Sequence, residues 1–323
     1  HGEPRYDEPL VPDEADLPID PSTDAPAGYS EDQRDQPGGF MGDPDILDTW
    51  ATSSLTPQIA GGGEEDGNLF AHVFPMDMRP QGHDIIRTWL FATMTRSHHE
   101  FGCAPWKHAA LSGWILDPDR KKMSKSKGNV VTPMDLFETY GTDAVRYWAG
   151  SARPGVDTAF SEEQMKVGRK LANKLLNVTK FVLQFGAPSG DRSLDDAVTD
   201  PIDRSMLAKL DGVLADATAA FEAFDYARAL ERTEAFFWWF CDNYVELVKG
   251  RTYDEQRPDA ADSAKRALRE ALSAVQRLLA PVLPFAAEES WSWWNDSSVH
   301  VAAWPSPSGG ESAPFGDPTL ADV

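Results

Sequence analysis

Apolar and polar positions divide the chain into two regions of different character. From Ser161 onward, apolar residues recur at helical spacing. Val167, Leu171, Leu175, Val178 and Val182 form one stripe that runs to Phe185, the pattern of an amphipathic helix. Ser161-Glu162-Glu163-Gln164 ahead of it is a capping-type start. A polar break runs from Gly186 to Pro201, and further amphipathic helices are predicted near 202–222, 226–249, 259–280 and 283–294. Phe236-Phe237-Trp238-Trp239-Phe240 is too aromatic for a solvent face. It reads as bundle core, because a platform for stacked bases would expose its rings.

Before Ser161 the pattern alternates. Val73 to Pro80 reads as a short strand and turn, and Gly82-His83-Asp84 leads into a helix from about Ile85 to His99. Ile85 and Trp89, four apart, share one face of that helix, and Leu90, Met94 and Phe101 carry the stripe onward. Ala109 to Leu116 has the composition and length of a buried parallel strand. It turns at Asp117-Pro118-Asp119 into a lysine-rich stretch. Strand, helix, strand and loop in this order suit the second half of a dinucleotide-type fold. Pro133 opens a helix that Gly141 ends. The next helix spans about Thr142 to Ser151, where Asp143 and Arg146 are spaced to pair in a structural role. Residues 1–42, rich in Pro, Asp and Gly, read as an irregular connecting segment, and Gly61 to Gly67 (with Glu64) as a flexible acidic loop. Beyond Asn295 the chain is Pro/Ser/Gly-rich and expected to be loosely ordered, and no internal repeat is apparent.

Charge changes this picture at one place. The 323 residues carry a net charge of −22, with 52 acidic against 30 basic residues. Yet Arg120 to Lys127 holds five basic residues and no acidic one. Small residues (Ser124, Ser126, Gly128) alternate there with lysines, which makes a mobile loop whose ammonium and hydroxyl groups can close on phosphates. A solvated basic loop is the plainer reading. The acidic balance itself is unusual for a nucleic-acid binder. A high-salt cytosol reconciles the two, since at about 1 M salt the Debye length is about 3 Å, and a halophilic protein is expected. Cys103 and Cys241 follow no CxxC spacing and read as reduced thiols without a cysteine zinc site. His98-His99 reads as a surface pair, because neighbours do not share a helix face, and no bound metal is expected. No apolar run approaches the roughly 20 residues of a membrane span and no signal pattern opens the chain, so a cytoplasmic protein is expected. A start at His1 suggests a fragment or a processed chain.

Lys122-Met123-Ser124-Lys125-Ser126, continued by Lys127-Gly128-Asn129, resembles the KMSKS signature of class I aminoacyl-tRNA synthetases. The flanks agree. Asp48-Thr49-Trp50-Ala51-Thr52-Ser53, after the apolar Ile46-Leu47, resembles the D-T-W-x-[ST]-S stretch of valyl-tRNA synthetases, particularly the archaeal type. Gly82-His83-Asp84-Ile85 with Trp89 resembles their G-x-D-I-x-x-x-W signature. Tyr140 to Trp148 resembles the segment that follows KMSKS in this family. Leu278 to Trp291 and Val299 to Pro305 resemble strings of class Ia anticodon-binding domains. The resemblance runs from about Asp45 to Pro305.

The resemblance implies an α/β region followed by an all-α region: the second half of a Rossmann-type catalytic domain with the KMSKS loop and stem-contact helices, then a helical-bundle anticodon-binding domain. The expected division is 1–42 connecting segment, 43–160 catalytic portion, 161–200 link, 201–305 anticodon-binding domain and 306–323 tail. It further implies ATP-dependent activation of valine to valyl-adenylate and transfer to tRNA(Val), with Mg²⁺ accompanying ATP. Lys125 would be the chief stabiliser of phosphate charge and Lys122 its support. Met123, Ser124, Ser126, Gly82 and Asp84 would contact ATP, the last at the ribose, while Trp50, Ile85 and Trp89 would line the valine pocket. His83 would give shape rather than acid–base chemistry. The H-x-G-H signature and the editing domain of the family are absent from this sequence, so the chain alone is expected to be inactive, and a monomer. An isoleucyl enzyme, a non-catalytic tRNA-binding fragment and an unrelated phosphate-binding enzyme are the alternatives.

Overall fold

The computed structural model describes residues 5–45, 48–63, 65–190, 193–307 and 316–320. Ile46, Leu47, Glu64 and most of the expected tail lie outside the described residues. The chain divides into two compact units, one of His1–Arg79 with Asp84–His108, the other of Pro80–His83 with Ala109–Val323.

In the first unit the helical pieces among the described residues up to Phe40 are two 3-10 turns, Glu14–Asp16 and Glu31–Gln33, and Arg34 bridges to Phe40. Arg34 organises them. Its guanidinium donates to the carbonyls of Pro21 at 2.7 Å and Asp24 at 3.0 Å and lies 4.9 Å from the ring centre of the buried Phe40. Short helices follow: α1 (Thr49–Ser53), α2 (Thr56–Ala60) and α3 (Gly67–Val73). Asp48 and Asp66 cap α1 and α3 by accepting from Trp50 N at 3.1 Å and Leu69 N at 3.0 Å. The first residues of β1 (Met76–Gly82) and β2 (Trp106–Ser112) belong here, with α4 (Phe91–Phe101) between them. Gly102 ends α4 in the left-handed region at φ +70°.

The helix expected over Ile85–His99 starts differently. His83–Ile85 is a 3-10 turn and Ile86–Leu90 a single wide π turn before α4 begins. The cause is tertiary. Trp89 is buried, its Nε1 donates to the Ser53 carbonyl at 2.9 Å, and its ring stacks on Trp106 at 5.4 Å. The wide turn fits a helix start whose Trp is tied down at those two points.

In the second unit the strand expected over Ala109–Leu116 is two strands, and it is not buried. β2 ends at Ser112, and β3 (Ile115–Leu116) pairs in parallel with β4 (Thr158–Ala159), Ile115 opposite Thr158. The break at Gly113-Trp114 has a tertiary reason. Trp114 N donates to Asp157 Oδ1 at 2.8 Å, and a Cβ at Gly113 would lie 2.2 Å from the Val156 carbonyl carbon. Backbone passes too close there for any residue but glycine.

The helical region follows the apolar pattern closely. The helices are α5 (Pro133–Tyr140), α6 (Thr142–Gly150), α7 (Glu162–Gln184), α8 (Leu194–Ala197), α9 (Pro201–Glu222), α10 (Tyr226–Trp239), α11 (Val245–Val248), α12 (Pro258–Leu279) and α13 (Pro284–Ser292). Ser161 caps α7 by accepting from Gln164 N at 3.3 Å, and Leu171, Leu175, Val178 and Val182 are buried. Phe236, Phe237 and Phe240 are core, as the aromatic run predicts. A π turn at Phe240–Tyr244 joins α10 to α11. Cys241 is buried there, and burial pushes its thiol up to about 12, so it is a packing residue rather than a nucleophile.

Two of the polar clusters that tie the helices bear on charge and capping. Asp203 is fully buried; it accepts from Tyr244 Oη and Ser263 Oγ, each at 2.6 Å, and pairs with Arg251, which also pairs with Asp200. Burial pushes the Asp203 carboxyl up, opposed by Arg251, Ser263 and Tyr244. Burial also works against the Arg251 charge, but Asp203 and Asp200 outweigh it and raise its pKa. The second cluster corrects the expected Asp143–Arg146 pair. Asp143 on α6 accepts from Phe285 N at 3.2 Å and Ala286 N at 2.7 Å, so it caps α13 from another helix, and Arg146 donates to the Pro281 carbonyl at 2.7 Å. Helix α13 has no capping side chain of its own. Asp143→Ala is therefore expected to cost about 1–2 kcal/mol, read in urea as a lower midpoint at unchanged slope.

Candidate functional site

The lysine loop sits in the second unit on a frame that its own ends supply. Leu116 bridges to Lys122 across the Asp117 turn. Asp117, 7% exposed, accepts from Lys121 N at 2.8 Å through Oδ1 and from Asn129 Nδ2 at 2.8 Å through Oδ2. Asn129 in turn accepts from Ser124 N at 2.9 Å and donates to the Lys122 carbonyl at 3.3 Å. One carboxamide thus joins the start, middle and end of the loop. The Lys121 N–H, then Asn129, hold the Asp117 carboxyl below the usual carboxylate range. Its contribution to stability is present above the unfolded carboxylate pKa of about 3.9 and is lost as pH falls through the lower folded value.

On this frame Lys125–Lys127 makes a 3-10 turn. Lys127 N and Gly128 N donate back to Ser124 O and Lys125 O, each at 3.2 Å, and Gly128 closes the turn at φ +67°. Lys122, Lys125 and Ser126 are exposed; Met123 and Ser124 are half-buried. The two hydroxyls of Ser124 and Ser126 lie 3.3 Å apart. The loop expected to be mobile is therefore pinned through its backbone while the Lys125 side chain stays exposed. Asn129→Ala removes the pin. Amide exchange at Ser124 is expected to quicken about tenfold, the scale of one hydrogen bond in a charged network; exchange at the parent rate would contradict this account.

Gly82 and His83 belong to the same unit. His83 Nδ1 lies 3.1 Å from the Ser112 carbonyl, and its ring packs 4.8 Å from that of Trp114. The Lys122 ammonium stands 4.0 Å from the centre of the same indole. Neither Trp114 nor the Asp117–Asn129 pair is visible as functional in a linear reading. Asn129 does belong to the Lys127-Gly128-Asn129 continuation of the lysine motif, without an assigned role, and the only sequence signal for Trp114 and Asp117 is their place ahead of the lysines.

The remaining predicted residues lie in the first unit. Trp50 is 36% exposed at the first turn of α1, Asp84 is exposed, and Ile85 is half-buried beside it in sequence. Trp89 is buried; besides Trp106 and Ser53, the Arg79 guanidinium lies 4.2 Å from its ring centre. Trp50 and Trp89 are tied through α1, since Trp89 donates to Ser53 three residues beyond Trp50. Among the described residues there is no group of three or more His, Cys, Asp or Glu that could hold a metal ion, and no helix is long and apolar enough to cross a membrane.

Residues 22–161 match the family model of class I tRNA synthetases (I, L, M and V), and residues 203–317 match the anticodon-binding domain of tRNA ligases. Similar curated proteins include the valine–tRNA ligase of Thermobifida fusca, 64% identical over 307 residues that are 94% of this chain and 34% of that one. That of Salinispora tropica is also 64% identical, over 94% of this chain and 35% of its own length. That of Leifsonia xyli is 63% identical over the same shares. The chain spans about a third of the length of these relatives. They are bacterial, from the Actinobacteria, which corrects the archaeal assignment: identity across 94% of the chain outweighs a few short strings. The high-salt reading of the acidic charge loses its archaeal setting with that correction. Among solved structures, the LeuRS of Agrobacterium radiobacter K84 in its ternary complex with tRNA and LeuAMS has a TM-score of 0.64 at 21% identity, over 83% of this chain and 34% of that one. At that identity the likeness concerns the fold alone.

Proposed function

We propose that this chain, which carries a class I tRNA synthetase catalytic portion followed by a tRNA-ligase anticodon-binding domain, is the lysine-loop and tRNA-reading part of a valine–tRNA ligase. The observation that carries the reading is the pinned loop with Lys122 and Lys125 exposed upon it, in a chain 64% identical to valine–tRNA ligases. In the complete enzyme the valine carboxylate attacks the α-phosphate of ATP, and pyrophosphate leaves. Charge grows on the phosphates as that bond forms. Lys125 is the main stabiliser, with Lys122 in support, and Mg²⁺ brought with ATP shares the charge. Ser124, Ser126 and Met123 shape the loop around the phosphates, while Gly82 and Asp84 receive the nucleoside, Asp84 as acceptor for ribose hydroxyls. Trp50, Ile85 and Trp89 form the apolar side that receives valine. The valyl group then passes to the terminal ribose of tRNA(Val), whose anticodon end is read by the bundle. Residues 43–160 serve the chemistry, 161–200 link, and 201–305 read tRNA, in the cytoplasm where translation uses the product.

Charging of tRNA(Val) with valine by the complete enzyme tests the reading. Charging of tRNA(Val) supports it. Charging with isoleucine on tRNA(Ile) would replace it by the isoleucyl alternative, and tRNA binding without charging by the non-catalytic one.

A further inference from the structure

We propose that Trp114 is a positioning residue for the lysine loop: in the ligand-free chain its indole holds the Lys122 ammonium, so that Lys122 meets phosphate only by leaving the ring. The inference rests on the proposed phosphate-binding role of that loop and adds the place where one of its lysines waits.

The geometry is direct. The Lys122 Nζ is 4.0 Å from the indole centre, well inside the roughly 6 Å within which a cation is attracted by the ring quadrupole, and tryptophan is the strongest such partner. The main chain that carries the indole is fixed. Trp114 N donates to Asp157 Oδ1 at 2.8 Å, and the Trp114 carbonyl accepts from Thr158 N at 2.8 Å. His83 packs on its ring at 4.8 Å and is anchored by its contact with the Ser112 carbonyl at 3.1 Å. The Trp114 Nε1–H is buried with no acceptor among the described residues. What the side chain offers the loop is therefore the ring rather than its hydrogen-bond donor. The Lys122 backbone is also set, through Leu116 and Asn129, so the side chain swings from a fixed point. Lys125, three residues on, has no ring contact of this kind among the described residues. The two lysines thus differ in their ligand-free state.

A cation–π contact at a half-exposed site corresponds to about a two- to fivefold bias. Removing the ring is expected to tighten phosphate binding by that factor, since the ammonium no longer has to leave a partner. Retaining an aromatic face is expected to preserve most of the bias.

The test uses the complete enzyme labelled with 5-fluorotryptophan, the Trp114 resonance being assigned by its loss in Trp114→Phe. Lys122→Met is expected to move that resonance and leave the other tryptophans in place. Titration with magnesium pyrophosphate is expected to give about two- to fivefold tighter binding for Trp114→Leu, and near-parent binding for Trp114→Phe. A Trp114 resonance indifferent to Lys122→Met overturns the proposal, as does Trp114→Leu binding no tighter than the parent. Absence of pyrophosphate binding in every variant overturns the phosphate reading of the loop instead. In that case the resonance arm still decides whether the indole holds the lysine.

Discussion

Lys125→Ala in the complete enzyme is expected to slow valine activation about a hundredfold, or ~3 kcal/mol in the barrier, almost entirely in kcat. The reason lies in when the charge appears. Valine is bound before the phosphates rearrange, so a lysine that meets only the developing charge adds nothing to ground-state affinity for the amino acid. Lys125 is exposed on a turn whose backbone is closed by Ser124, Gly128 and Asn129. Truncating its side chain leaves those hydrogen bonds intact, and the loss should be chemical rather than structural. Lys125→Arg keeps the charge but replaces a compact ammonium by a planar fork, and partial activity is expected. The measurement is steady-state pyrophosphate exchange at varied valine and ATP. Normal turnover with a large rise in KM for valine would sink the assignment.

The largest effect on stability is expected at Arg251. Arg251→Met should cost about 3–5 kcal/mol, because it strands the Asp203 carboxylate in the bundle core without its counter-charge. Asp203 has no exposed surface, and Ser263 and Tyr244 contribute neutral donors only. At about 2–4 °C per kcal/mol for a chain of this order, the melting temperature should fall by about 6–20 °C. Asp203→Asn introduced with Arg251→Met should recover part of the loss, since the stranded charge is then gone. Coupling between the two sites is the sign that charge burial, not lost packing, is responsible. A melting temperature within a degree of the parent for Arg251→Met would show that water reaches Asp203.

What was legible in the chain, and what was not, follows from the range of the interactions. The stripe from Leu171 to Val182, the cap at Ser161, and the stop at Gly141 depend on neighbours within a few residues, and the helices of the bundle lie where the periodicity puts them. The wide turn at Ile86–Leu90 depends on Ser53 and Trp106. The break at Gly113 depends on the backbone of Val156. The cap that Asp143 gives to α13 reaches 143 positions along the chain. None of these leaves a local trace. The lysine loop was legible because its residue order is a signature. Its frame was not, because Asp117 and Asn129 acquire a role only when the chain between them folds back.

The measurement that bears most directly on the central claim is amino-acid-dependent ATP–pyrophosphate exchange by the complete enzyme, compared for valine, isoleucine and threonine. Valine is expected to be the preferred amino acid, with threonine about a hundredfold behind, the limit for an apolar pocket facing an isostere that adds a hydroxyl. Preference for isoleucine, or no exchange with any of the three, would contradict it.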